Sequence, residues 1–344
     1  YTPYFPTPIN LVYTKEEVKP RLRFSGYLGR PFRLPICTDQ GERKFWGWIR
    51  PQADDTALKV EEITGFLHPK WLKDWLSGKE EYFREDLINM LPQFFQGFED
   101  KRLGSEMPPM ILKPESLFVH EIRTGLGLEA TRKQAQEGLL YTIYMMRPPT
   151  DTGFLLRVRS RQTDLLDKLP GPALLGGWRK QVTLYRLDPE QVAWLDDFPL
   201  VLNEPCKYIV LYFYTLSVYA LGHLPVWIDH INRNISWPFV PHSLPECKLM
   251  ACYSYKPFHI SGWDLQKGPK PMQRAVRPGA VWFLGKADGD DFSSEETKAI
   301  MERLGNRPTL SDQPAAPGVT AAVPPARMGF GLYFAGIAQG VTTI

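Results

Sequence analysis

Proline and glycine interrupt this chain throughout, and they constrain its fold more than any other feature. The 344 residues include 32 Pro and 27 Gly. Proline removes a backbone donor and blocks helix interiors, and glycine weakens helices and strands alike. Between these breaks lie short segments rich in β-branched and aromatic residues, such as 208–218, which are typical of strands. The sequence therefore predicts many short strands and long loops, and it excludes a helical bundle.

Two segments have the pattern of helices. Residues 68–76 begin with Pro69 in the first turn and are followed by Gly78, which suits a helix end. Their apolar side chains share one face: Trp71, Leu72, Trp75 and Leu76. A second helix is predicted from Ser293, which forms a capping box with Glu296.

The remaining elements are predicted from apolar periodicity and turn residues. Further helices are expected at 81–95 and 189–195. Strands are expected at 21–28, 45–49, 139–146, 154–162, 182–187, 208–218, 248–255, 280–284 and 329–337. Strands separated by isolated helices favour an α+β fold built from split βαβ units on antiparallel sheets. Pro170-Gly171-Pro172 interrupts the pattern, so we predict two domains, 1–170 and 171–344.

Charge is nearly balanced along the chain. Lys and Arg number 41 against 38 Asp and Glu, which gives a net charge of +3. Any nucleic-acid site must therefore be a local concentration of positive charge. Aromatic residues make up 13% of the chain, and they suit cores, protein interfaces or stacking on unpaired bases.

The segment 259–286 is the most informative local feature. It predicts a strand, a cationic loop and a return strand at 280–284, with Gly262 and Trp263 at the start of the loop. A stiff loop between strands is a good place to hold a phosphate backbone. Its cations are Lys267, Lys270, Arg274 and Arg277.

A second segment, 121–144, combines glycines with positive charge. Gly125 and Gly127 are expected in a turn, with Arg123 before it and Arg132 and Lys133 after it. The glycine spacing does not match a dinucleotide-binding or phosphate-loop fingerprint. Taken alone, this segment favours a solvated loop between strands.

A third segment, 174–180, places an aromatic and two cations after a pair of glycines. The residues are Gly176, Gly177, Trp178, Arg179 and Lys180. Two interpretations stay open: a base stacked on tryptophan with cations on phosphates, or a buried tryptophan beside a β-bulge.

Two weaker features follow. Gly329 and Gly331 flank an aromatic residue before the last strand, which permits tight backbone contact. The alternating arginines of 154–162 indicate either an RNA-facing sheet or a charged solvent face, and they are Arg157, Arg159 and Arg161.

Catalytic, metal and membrane sites find little support. The six His are scattered, although His120 and His259 are candidate general bases for RNA cleavage. The four Cys form no CxxC pair, so we expect no metal site and no cofactor. We expect a cytoplasmic protein without a membrane span or secretory signal. Because the chain opens at Tyr1 in a proline-rich stretch, we expect natural residues before it.

From about residue 60 onward, these segments in this order resemble a known family. The matching pieces are TGFL at 64–67, EGLLYTIY at 137–144, GGWR at 176–179, YTLSVYALGHLPVW at 214–227, SGWDLQKGPKPMQRAVRPGAVWFL at 261–284 and GFG at 329–331. The chain resembles the third-subunit family of the type III-B CRISPR effector, the Cmr complex, within the RAMP superfamily of RNA-binding proteins.

The resemblance implies a fold and a role. The fold is two ferredoxin-like (RRM-like) RAMP domains with long insertions, and we expect the first domain to be incomplete at its N-terminus in this chain. The role is non-catalytic: the subunit holds the repeat-derived 5′ tag of the guide RNA. It also docks the large polymerase/cyclase-type subunit and the first backbone subunit, and it meets target RNA indirectly. Trp178 departs from the family, where a charged residue is expected.

The cations of the three segments are the predicted RNA ligands, with Trp263 as the candidate stacking residue. Two alternatives remain: a metal-independent endoribonuclease that processes guide RNA through a histidine, and a scaffold that binds only proteins.

Overall fold

The computed structural model describes the chain in separate segments. The described residues are 5–8, 11–14, 21–24, 31–38, 41–48, 60–62, 65–79, 111–112, 117–128, 135–149, 152–156, 158, 167–175, 180–198, 200–219, 224–229, 231–237, 244–254, 257–264, 268–270, 272–305, 309–311 and 329–339. For the strands within 11–62 the backbone alone is described.

Short strands dominate the described residues, as the proline and glycine content predicts. Strands β1 to β10 are Phe5–Pro6, Leu11–Thr14, Arg21–Phe24, Pro31–Thr38, Gly41–Trp48, Val60–Glu62, Phe66–Leu67, Ile111–Leu112, Val119–Leu128 and Ala135–Arg147. Strands β11 to β21 are Gly171–Leu175, Lys180–Leu184, Tyr208–Phe213, Ser217–Val218, Cys247–Tyr253, Phe258–Ile260, Trp263–Asp264, Gly268–Pro269, Gln273–Val276, Ala280–Lys286 and Tyr333–Ala338. Helix α1 is Pro69–Leu76, helix α2 is Ser294–Gly305, and Pro189–Asp197 is a 3₁₀ helix. This mixture of small antiparallel sheets and a few helices confirms the predicted α+β class.

The chain divides into two compact units. One contains Leu112–Asp197 and the other contains Tyr4–Ile111 with Phe198–Ile344. In the first unit, β9 pairs with β10 and β11 pairs with β12, each pair antiparallel. The predicted division into RAMP domains near residue 170, and their ferredoxin-like fold, stay predictions.

A four-stranded antiparallel sheet forms the core of the second unit, in the order β15-β20-β13-β21. Strand β13 is buried along its whole length because it consists of β-branched and large apolar residues. Ile209 pairs with Leu284 on one side and with Ile337 on the other. Burial of such side chains contributes about 1.5–3 kcal/mol each, so this sheet supplies much of the stability of the unit.

Helix α1 packs its predicted apolar face into this core. His68 caps the N-terminus, where its Nδ1 accepts a hydrogen bond from the Lys70 backbone N–H at 3.2 Å. Trp71, Leu72, Trp75 and Leu76 are buried. Gly336 of β21 faces the last turn, and a Cβ there would contact the Cα of Leu76 at 2.7 Å. The helix and the edge strand are thus in direct backbone contact.

Helix α2 has the predicted capping box. The Ser293 N–H donates to Glu296 Oε2 at 2.8 Å, and the Glu296 N–H donates to Ser293 Oγ at 3.3 Å. Lys286 Nζ lies 3.3 Å from Glu296 Oε1 and links the helix start to β20. The buried face of the helix consists of Thr297, Ile300, Met301 and Leu304.

Three predictions of local structure need correction. The strand expected at 154–162 is wrong for its described part, because residues 154–156 and 158 have no strand conformation. Gly125 and Gly127 lie inside β9, and the expected turn is absent there, since Tyr141 on β10 covers Gly125. The segment 208–218 is two strands, because the chain bends where Leu332 donates its N–H to Thr215 Oγ1 at 2.9 Å. The helix expected at 81–95 lies outside the described residues.

Candidate nucleic-acid interface

All of the ligands predicted from the segment 259–286 fall within residues 258–279, which we name the cationic excursion. Strand β16 leads into it, the β17–β18 ribbon lies within it, and β19 leads out. A three-stranded sheet in the order β14-β19-β16 holds its base, with β16 at the edge. The sequence predicted a cationic loop that includes Arg274, whereas Arg274 lies in strand β19.

The exit from the excursion is a tight turn at Pro278-Gly279. The Ala280 N–H donates to the Arg277 carbonyl at 3.3 Å, and Gly279 has φ +88°. Proline followed by glycine with positive φ matches a type II turn. The Gly279 N–H also donates to the Phe213 carbonyl at 2.7 Å, which fixes the turn to the central sheet. Arg277 is therefore held at a defined place, and its side chain is exposed.

Lys270 is fixed by its backbone while its side chain is exposed. Its N–H donates to the Gly262 carbonyl at 2.8 Å, and its own carbonyl accepts from Ser261 Oγ at 2.7 Å. Its stem crosses Gly262, where a Cβ would lie 3.3 Å from Lys270 Cδ. Gly262 thus lets the lysine stem approach the backbone closely.

Arg274 lies opposite His259 across the β19–β16 pair, and both side chains are exposed. Cross-strand partners on one face of an antiparallel pair lie close together. This pair gives the excursion an imidazole beside a permanent positive charge.

Phe258 is a residue that the sequence reasoning missed. Its side chain is 45% exposed. The guanidinium carbon of Arg277 lies 5.6 Å from its ring centroid, within cation–π range. The available signal is the position of this phenylalanine at the start of the cationic segment, where the sequence favours Trp263 as the stacking residue.

The excursion is electropositive. Asp264 is the only acidic residue from 258 to 279. Among the described side chains, no carboxylate lies within ion-pair distance of Lys270, Arg274 or Arg277. These exposed cations are available to phosphate groups without loss of an internal pair.

Arg123 has a different environment, on β9 in the other unit. Its Nη2 lies 2.9 Å from Glu121 Oε2, and Arg147 Nε lies 2.8 Å from Glu121 Oε1. The side chain of Arg123 is 59% exposed. A phosphate at this position would have to compete with a carboxylate shared by two arginines.

Two glycines of the predicted glycine-rich loops, Gly125 and Gly331, lie in close contact with other residues of the protein. Gly125 pairs with Tyr141, whose ring covers the space that a Cβ would fill. Gly331 has φ +72°, and a Cβ there would lie 2.6 Å from the Ser311 nitrogen. Its N–H donates to the Leu216 carbonyl at 2.7 Å. Their close contacts are with protein groups.

The other predicted residues are not brought together by the described part of the chain. Lys180 is described only as backbone of β12, and Trp263 only as backbone of β17. The remaining predicted residues lie outside the described segments, and they are Arg132, Lys133, Gly176, Gly177, Arg179 and Lys267. Gly329 lies in the turn before β21, with φ +82°.

Side chains of catalytic or metal-binding type are dispersed. Within the described segments, no group of His, Cys, Asp and Glu side chains is placed to hold a metal ion. Burial raises the pKa of the Cys206 thiol to about 11 and that of Cys247 to about 12, so both are poor nucleophiles at neutral pH. Across the same segments, every helix is too short or too polar to cross a bilayer.

Comparison with known proteins identifies the family. A model of the CRISPR-associated protein family Cas_Cmr3 matches residues 1–336. The chain belongs to the Cas_Cmr3 family. The resemblance drawn from its sequence is thereby confirmed. No curated protein matches this Cas_Cmr3 chain.

Two solved structures are similar to this family member at low identity. One is described as the type III-B Cmr-beta bound to cognate target RNA, with 14% identity, a TM-score of 0.33 and coverage of 80% of this chain and 65% of that chain. The other is Cmr-beta bound to cognate target RNA and AMPPnP, with 13% identity, a TM-score of 0.33 and coverage of 88% and 69%.

Proposed function

We propose that this chain is a guide-RNA-binding subunit of a type III-B effector complex and that the cationic excursion contacts the RNA backbone. The observation that carries the proposal is a set of three exposed cations that have no carboxylate partner among the described side chains: Lys270, Arg274 and Arg277. Membership of the Cas_Cmr3 family supports the assignment to a CRISPR effector. Cations that neutralise phosphates supply most of the sequence-independent affinity for nucleic acid.

The RNA segment at this site is, in our proposal, the repeat-derived 5′ tag. A tag present in every guide RNA needs a fixed binding site on a rigid base. The excursion meets this need, since the Gly279 N–H bonds to β13 and the Lys270 backbone bonds to Ser261 and Gly262.

The subunit also docks its protein neighbours in this proposal, the large polymerase/cyclase-type subunit and the first backbone subunit. The supporting observation is one face of the β9–β10 hairpin, which we name the apolar hairpin face. All of its side chains are exposed, and they form cross-strand pairs. The members are His120, Ile122, Thr124, Leu126, Leu140, Thr142, Tyr144 and Met146. Ile122 is 66% exposed and Tyr144 is 75% exposed. Exposed apolar faces of this kind mark protein interfaces.

The proposed domain fold has support in the second unit. Within 198–344, the four strands of the central sheet are, in chain order, β13, β15, β20 and β21. Their order across the sheet is second, third, first and fourth. All neighbours are antiparallel, and α2 lies between the third and fourth strands. This is the strand order of a ferredoxin-like domain.

The proposal assigns no bond cleavage to this chain. Phosphodiester cleavage by acid–base catalysis needs groups that donate and accept protons near the scissile bond. In residues 258–279, His259 is the sole histidine and Asp264 the sole carboxylate. His120 lies in the other compact unit.

The test is to purify the complex through another subunit and to sequence the RNA that it retains. With Lys270→Glu and Arg274→Glu together, we expect retained guide RNA to fall at least tenfold while the subunits still copurify. Lys298→Glu is the matched control, because Lys298 is an exposed cation on α2, outside the excursion. Unchanged RNA in the double variant would favour the protein-only scaffold. Repeat RNA cleaved by the purified chain would favour the endoribonuclease.

A further inference from the structure

We propose that the Phe258 ring, with Arg277 beside it, is a stacking platform for one unpaired base of the bound RNA. This inference rests on the proposed function and adds to it a preference for single-stranded over paired RNA. The feature that calls for explanation is a large aromatic ring, 45% exposed, on a strongly cationic part of the surface. Other aromatic residues on the neighbouring core strands are fully buried, such as Tyr212 and Trp282.

The position of the ring in the sheet makes it accessible. Phe258 lies on β16, the edge strand of the order β14-β19-β16. Its cross-strand partner is Ala275, which is fully buried and in turn pairs with Val218. The cross-strand row of Val218, Ala275 and Phe258 therefore ends in an aromatic ring at the edge of this three-stranded sheet. The alanine beside the ring is too small to cover it.

The cation next to the ring has two possible uses for RNA. Arg277 Cζ lies 5.6 Å from the ring centroid, and the arginine backbone is fixed by the Pro278-Gly279 turn. A planar guanidinium stacks on aromatic faces and also donates to phosphate. A base placed on Phe258 would thus find a second flat cationic surface near its edge, with phosphates in reach of the same side chain.

The surrounding charges select RNA over an apolar protein partner. Arg277 lies beside the ring, Arg274 lies on the opposite face of the same strand pair across from His259, and the backbone of Lys270 bonds to Gly262 within the same excursion. A partner for an aromatic ring among cations must combine flat apolar surface with negative charge. An unpaired nucleotide has both in one unit, a base and a phosphate.

The physics of stacking determines which properties of a nucleotide such a platform can distinguish. Every base has a π-face, so the ring tolerates all bases and discriminates only weakly between them. A base within a duplex is already stacked and paired, and it must leave the helix to reach the ring. The platform therefore selects the unpaired state of a nucleotide rather than its identity.

The test uses the complete complex, reconstituted with each variant of this chain, and an oligonucleotide with the sequence of the RNA that copurifies. We expect Phe258→Leu to weaken binding by about 5- to 160-fold, the range for loss of one stacked base. Phe258→Trp should retain affinity. The dependence of log affinity on log salt concentration should be unchanged in Phe258→Leu, because no phosphate contact is lost.

Abasic substitution along the oligonucleotide identifies the base. At one position it should weaken binding to the wild-type complex and have no further effect in Phe258→Leu. Equal affinity of wild type and Phe258→Leu would overturn the platform while leaving the phosphate contacts of the proposed function intact. Release of a protein subunit by Phe258→Leu, with RNA still bound, would also overturn it and assign the ring to a protein contact.

Discussion

Arg274 and His259 lie directly opposite each other on β19 and β16, with both side chains exposed. The arginine is permanently charged, so the imidazole stands in a positive field. This arrangement suits an anion such as phosphate, and residues 258–279 contain no second histidine. The pair therefore fits a phosphate-binding role.

The first prediction concerns RNA cleavage. We expect the purified chain to leave repeat RNA intact, and His259→Ala to leave the length of bound guide RNA unchanged. Gel analysis after incubation with repeat RNA measures this. Cleavage that disappears in His259→Ala or in His120→Ala would instead support the endoribonuclease.

The second prediction concerns the apolar hairpin face. Ile122→Ser combined with Tyr144→Ser should reduce copurification of a neighbouring subunit at least fivefold, because apolar area buried at the interface is lost. Leu174→Ser is the matched control, since Leu174 on β11 is 64% exposed and lies outside this face. An effect of equal size in the control would assign the loss to general surface changes.

The third prediction concerns the contact between α1 and β21. Gly336→Ala places a methyl group against the Leu76 carbonyl and 2.7 Å from the Leu76 Cα, so helix and strand must separate. We expect a loss of about 1–3 kcal/mol, as for overpacking elsewhere in cores. Thermal unfolding of the purified chain measures it. Gly153→Ala is the control, because a Cβ there has no atom within 4 Å, and equal stability of the two variants would refute the contact.

The fourth prediction is a pH dependence at the start of α2. The Ser293 backbone N–H, which donates to the carboxylate, holds the pKa of Glu296 below its ordinary value of 4.5, and Lys286 adds to the effect. A lowered pKa in the folded state means that the unfolded state binds the proton more tightly. The contribution of the Glu296 carboxylate to the free energy of unfolding is therefore present above pH 4.5, and it is lost as the pH falls through the lowered pKa.

Glu296→Gln tests this dependence because glutamine keeps the capping geometry without the titrating charge. Urea unfolding at pH 7 and at acid pH should show a smaller acid loss of stability in the variant than in the wild type. The same acid loss in both proteins would show that Glu296 does not contribute to it. Ser293→Ala, by contrast, should cost about 0.5–2 kcal/mol at neutral pH through loss of the cap.

Some elements were predictable because local chemistry determines them. The α1 boundary follows from Pro69 and Gly78, and the α2 start follows from the pairing of Ser293 with Glu296. The turn at Pro278-Gly279 likewise follows from the φ values that proline and glycine favour.

Other features depend on strand conformation, strand pairing and sheet order. Nothing local shows that Tyr141 covers Gly125 across a strand pair, which is why a turn was predicted there. The ion pair of Arg123 with Glu121 likewise depends on the extended conformation of β9, which places them two residues apart on one face. The exposure of Phe258 depends on β16 being an edge strand, a fact of sheet order that the sequence does not display.

The most direct test of the central claim is the salt dependence of guide-RNA affinity for the reconstituted complex. Each phosphate contact on single-stranded RNA contributes about 0.7 to the slope of log affinity against log salt concentration. Lys270→Gln with Arg274→Gln should reduce that slope by about 1.4 and weaken binding at low salt. Lys298→Gln should change neither quantity. A double variant with the slope and affinity of the wild type would contradict the assignment of these cations to the RNA backbone.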